Sequence, residues 1–162
     1  MNQGAHVVKV GERTKILIAS GVNLDLLGMR QPEIYGHATL ADMERLVTKL
    51  WREEFDNSGF SLVFFQTNDE AIFLTELSKG YAGAVINAGA WTHTSLAIAD
   101  RLVGLGLPFV EAHVSKLDSR EAFRQHSYMR PFALAVIDGH GIQSYWLGLQ
   151  ALMSHLKVLS RP

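Results

Sequence analysis

Short apolar runs alternate with segments of helical period five times along this chain, and that alternation restricts the fold more than any other feature. The runs lie at residues 15–20, 61–67, 81–86, 107–114 and 132–137. Each is far shorter than a membrane span and has glycine, proline, serine or asparagine nearby, so each reads as a buried strand. Between the first two, Leu40, Met43, Leu46, Val47, Leu50 and Trp51 recur at helical spacing through residue 55. Thr39 and Asp42 stand where the two halves of a capping box belong. Asn68 can cap a helix over 69–79 with Ile72, Phe73 and Leu77 on its apolar face. Thr92 or Thr94 can cap a third helix to about residue 105. A helix is expected through 120–127. A last one, ending near residue 156, would pack Tyr145, Leu149 and Leu152 inward.

Strands that alternate with helices build a parallel sheet with right-handed crossovers. Five of them predict an α/β, flavodoxin-like three-layer sandwich with strand order 2-1-3-4-5. At 162 residues the chain suits one domain over 15–162, preceded by a tail over 1–14. A net charge of −1 gives no electrostatic basis for binding nucleic acid or an anionic membrane. The chain has no cysteine, hence no disulfide and no thiolate metal site. No secretory leader or membrane span is read from the sequence, and a cytoplasmic location is expected. No glycine-rich dinucleotide fingerprint or phosphate loop appears, which disfavours a nucleotide cofactor.

In open α/β sheets ligands bind beyond the C-terminal ends of the strands, and polar residues gather there. Glu111 and His113 are two apart in the fourth run, so they share a face. Arg120 and Arg124 follow at helical spacing. Asn87 and His93 lie in the small, polar turn after the third run. Asn23, Arg30 and Tyr35 lie in a long irregular segment over 21–37, the length of a lid or binding loop. A tyrosine near arginines has a chemical logic, because adjacent cations favour the phenolate. A phenolate could take a proton next to a carbonyl while a histidine protonates a leaving hydroxyl. Arginines suit a carboxylated, hydroxylated substrate. Each residue also has a plainer reading: Tyr35 could cover surface, His93 could start a helix, Asn87 could satisfy turn amides, and Glu111 with His113 could pair structurally. No histidine spacing resembles a zinc site.

These residues, taken in order, resemble the type II 3-dehydroquinate dehydratases, over about residues 15–156. The similarity rests on Asn23-Leu24-Asp25-Leu26-Leu27-Gly28 with Arg30, Pro32, Tyr35 and Gly36, and on Gln66-Thr67-Asn68 with Glu70. It continues through Asn87-Ala88-Gly89, Thr92-His93-Thr94-Ser95, Glu111, His113, Ser115, Arg120-Glu121, Phe123-Arg124 and His126-Ser127. The resemblance implies dehydration of 3-dehydroquinate to 3-dehydroshikimate without cofactor or metal, by a dodecamer built from trimers. It implies Tyr35 as the base, Arg30 as the cation favouring its phenolate, and Asn23 as the holder of a water against the enolate. It implies His113 as the acid, oriented by Glu111. Asn87, His93 and Arg124 would contact substrate hydroxyls, and amides near Val114 and Ser115 the carboxylate. Arg120 would position and tune charge, and Asp100 would reach a neighbouring subunit's site. The alternative reading is a catalytically weak paralogue that binds a cyclic hydroxy-acid as a sensor or subunit partner. The chain departs from the family pattern at Ser20, Val22, Ala112, Lys116 and Asp118. Val22 is expected to loosen the turn carrying Asn23, and Lys116 to add a cation beside the carboxylate contacts.

Overall fold

The computed structural model describes residues 14–29 and 36–159. The expected tail therefore lies almost wholly outside the described residues. Five strands run in parallel: β1 (Thr14–Val22), β2 (Phe60–Gln66), β3 (Gly83–Gly89), β4 (Phe109–His113) and β5 (Ala135–Asp138), in the order β2-β1-β3-β4-β5. The order is the one expected from the alternation. Four α-helices connect or follow them: α1 (Leu40–Phe55), α2 (Glu70–Leu77), α3 (Leu96–Leu105) and α4 (Gln143–Leu159).

The pleat sorts side chains between two cores. Ile16 and Ile18 of β1, Val85 of β3 and Val110 and Ala112 of β4 pack with Met43, Val47, Trp51 and Phe55 of α1 and Tyr145, Leu149 and Leu152 of α4. Their neighbours one residue away, Leu17, Ala19, Ala84, Ile86 and Phe109, pack with Phe73 and Leu77 of α2 and Ile98 and Leu102 of α3. A strand buried on both faces reads as a near-continuous apolar run, as β1 does over residues 16–19 and β3 over residues 83–86. By the same period of two, Glu111 and His113 share the Phe109 side of β4, toward α3.

Local chemistry sets the ends. The Thr39 hydroxyl accepts the Asp42 amide while Asp42 accepts the Thr39 amide, which completes the capping box. Hydrogen bonds from the Thr39 side chain and amide, helped by Arg45, hold the Asp42 carboxyl down at about 2. Asp69, not Asn68, caps α2, and Ser95, not Thr92 or Thr94, caps α3. Ile72, expected on the apolar face of α2, is 52% exposed.

The largest difference from the sequence reading is the expected helix over 120–127. The chain there makes two separate 3-10 turns, Leu117–Ser119 and Ala122–Arg124, and no α-helix. Side chains capture the backbone groups a helix would use. Gln125 Nε2 donates to the carbonyls of Asp118 and Arg120, and Asp138 accepts from the Leu117 amide.

Candidate active site

The C-terminal ends of β1, β3 and β4 open into a cavity of about 170 Å³. Asn23, Asn87, His93, His113, Val114, Ser115, Arg120 and Arg124 all line it. Eight of the twelve residues singled out from the sequence thus meet in one place. Glu111 lies directly behind His113, buried completely. Asp100 is exposed on α3 and lies apart from the cavity. Arg30 and Tyr35 fall outside the described residues.

Asn23 follows β1 with φ of 65°, the left-handed region, which asparagine tolerates better than most residues. Val22, just before it, pairs with Gly89 of β3. The Asn23 amide donates to Asn68 Oδ1 at 2.8 Å, and Asn68 Nδ2 donates to Asp25 at 3.1 Å. The end of β2 therefore ties down the turn. On β3, Asn87 Oδ1 accepts the Gly89 amide at 3.2 Å. Behind it the Tyr145 hydroxyl meets Ser20 Oγ at 2.9 Å and also bonds Asn87. Burial pushes the Tyr145 hydroxyl up to about 12, with the bonds to Ser20 and Asn87 opposing, so it stays protonated. The sequence reading counted Tyr145 as packing only, because its hydroxyl is invisible to an apolar stripe.

The two histidines are oriented differently. His113 Nε2 donates to Glu111 Oε1 at 2.6 Å, which leaves Nδ1 as the nitrogen for the cavity. His93 Nδ1 lies 2.7 Å from the His126 carbonyl oxygen, which can only accept, so Nδ1 carries the proton. Burial holds His93 below its ordinary value, against the raising effect of that bond, and the nearby His113 and Arg124 add to the lowering. A neutral His93 therefore presents Nε2 as an acceptor, suited to a hydroxyl.

Cationic charge comes from the segment after β4. Arg120 Nη1 donates to Ser115 Oγ at 3.1 Å. Glu121 lies between the arginines, at 3.3 Å from Arg120 and 3.5 Å from Arg124. Its own amide, then both arginines, hold its carboxyl low. Lys116 is exposed and does not line the cavity, but it borders an adjoining hollow together with Val114, Ser115 and Arg120. Among the described residues no group of three or more histidines, aspartates or glutamates could hold a metal ion, and no helix is long and apolar enough to cross a membrane.

Sequence reasoning gave no role to Ser127, whose hydroxyl donates to Glu111 Oε2 at 2.8 Å. It sits in irregular chain 16 residues beyond Glu111, where no periodicity marks it.

An open parallel α/β sheet with a polar, acid–base-equipped cleft over its C-terminal edge defines the class of protein. The family described as Dehydroquinase class II matches residues 14–153, and the chain belongs to that family. A relative from Prochlorococcus marinus (strain MIT 9301), named 3-dehydroquinate dehydratase, is 44% identical over 146 residues, spanning 88% of this chain and 97% of its own. The crystal structure of type II dehydroquinase from Propionibacterium acnes is 34% identical with a TM-score of 0.78, over 88% of this chain and 99% of that one. That from Butyrivibrio crossotus DSM 2876 is 29% identical with a TM-score of 0.80, over 87% and 98%.

Proposed function

We propose that this chain is a 3-dehydroquinate dehydratase, a hydro-lyase that forms 3-dehydroshikimate and water through an enolate by anti elimination. The observation that carries the reading is the buried Glu111–His113 pair, whose free ring nitrogen is left for a cavity equipped for hydroxyls and a carboxylate. Tyr35, favoured as phenolate by Arg30, removes the proton next to the ketone. Asn23 holds a water against the enolate oxygen. His113 then gives its Nδ1 proton to the departing hydroxyl, and Glu111 holds the ring in place. Asn87, His93 and Arg124 take the ring hydroxyls, amides near Val114 and Ser115 take the carboxylate, and Arg120 fixes Ser115. A base, an acid and an oxyanion contact suffice for this elimination, and side chains supply all three.

The same reading carries a role in the shikimate pathway or quinate catabolism, in the cytoplasm, with residues 15–162 as one catalytic domain behind a tail. It also carries a dodecamer, a tetramer of trimers. Leu96 and Val103, 55% and 52% exposed, flank Asp100 on one face of α3. An apolar face around a carboxylate supports contact with a neighbouring subunit's site. Light scattering should then give about twelve times the 18.0 kDa chain. The activity is tested by ultraviolet absorbance. Purified protein with 3-dehydroquinate should generate the conjugated product, and a folded protein that leaves the absorbance flat contradicts the reading.

A further inference from the structure

The acid His113 depends on a carboxylate that water does not reach, since Glu111 is fully buried. Its two oxygens have separate partners. Oε1 accepts from His113 Nε2 and Oε2 accepts from Ser127 Oγ. Ser127 is itself 4% exposed. Its oxygen accepts two amides, from Met129 at 3.2 Å and Arg130 at 3.1 Å. A serine hydroxyl has one hydrogen and two lone pairs. With both lone pairs engaged by amides, the hydrogen is directed at Glu111. A protonated Oε2 would find no lone pair to meet. Ser127 thereby selects the ionised carboxylate.

The backbone around Ser127 is fixed from outside. The Tyr128 amide donates to the Thr92 carbonyl at 3.2 Å, and the His126 carbonyl accepts from His93. Met129 is fully buried in the core beneath. We propose that Ser127 is a positioning residue for the dehydration, which holds Glu111 as a pure acceptor so that His113 keeps its Nε2 proton and delivers the one on Nδ1. The proposal rests on the dehydratase reading. It adds a third member, Ser127, to the pair of Glu111 and His113.

Without the hydroxyl, Oε2 is a buried acceptor with no donor among the described residues. A carboxylate so deprived is more basic and draws the Nε2 proton toward itself. The ring then loses imidazolium character and donates poorly. Contacts to the substrate ring come from other residues, so binding is spared.

The experiment compares Ser127→Ala and Ser127→Cys with the parent. The cysteine keeps the volume and offers a weak donor, and the chain has no other cysteine to pair with it. The alanine variant should lose about ten- to a hundredfold in kcat, with KM within about twofold, and the cysteine variant should fall between. In proton NMR of the folded proteins without substrate, the downfield His113 Nε2–H resonance should move in the alanine variant. Parent kcat with an unmoved resonance overturns the proposal, as does a rise in KM with an unmoved resonance, which marks a packing role. If the alanine variant does not fold, the cysteine variant decides by the same criteria. Failure of the dehydratase reading appears separately, as absent turnover in the parent, while the resonance still reports on Ser127.

Discussion

His93 spends its one ring proton on the His126 carbonyl and so enters the cavity as an acceptor. Burial favours that neutral form, which ties stability to pH. The folded protein holds the proton less tightly than the unfolded chain. The contribution is therefore complete above the ordinary imidazole value of 6.5 and is lost as pH falls through the lowered folded value. Urea midpoints measured from pH 8 to pH 5 should fall more steeply for the parent than for His93→Gln, whose amide can still donate to the carbonyl. Equal slopes would show that His93 is not the group responsible. Single residues were legible where a rule of spacing applied. Glu111 and His113 are two apart in a strand, and the alternation alone aims them together. Ser127 reaches Glu111 only because irregular chain folds back, and no local rule encodes that return.

At the level of elements, close approach between β1 and β3 sets the floor of the cavity. Val22 pairs with Gly89, and a Cβ on Gly21 would stand 2.4 Å from the Ala88 carbonyl oxygen. Backbone cannot yield there without parting the strands that carry Asn23 and Asn87. Gly21→Ala should therefore lower unfolding stability by about 2 kcal/mol or more, measured by urea denaturation. A midpoint equal to the parent's would refute the close packing. The strands and three of the inter-strand helices were readable because apolar period and turn residues agree in them. The segment after β4 misled, since arginines four apart mimic a helix face. There the ladder was lost to side-chain bonds, Gln125 donating to carbonyls within the segment and Asp138 of β5 accepting from the Leu117 amide. The arginines still reach the cavity, from two turns instead of one helix.

For the molecule as a whole, burial separates the interior strands of the sheet from its edges, β2 and β5. The buried strands β1, β3 and β4 lie inside the sheet, and their C-terminal ends bring Asn23, Asn87 and His113 together. The division of labour across that edge is the central claim: one residue removes the proton and another, His113, expels the hydroxyl. The two steps separate in heavy water. With 3-dehydroquinate in D2O, the His113→Ala variant should exchange the proton beside the ketone for deuterium while forming product at least about a hundredfold more slowly than the parent. Deuterium in recovered substrate, read by NMR, is the predicted result. Product formation at the parent's rate, or a folded variant that neither exchanges nor dehydrates, would contradict the assignment of His113 as the acid alone.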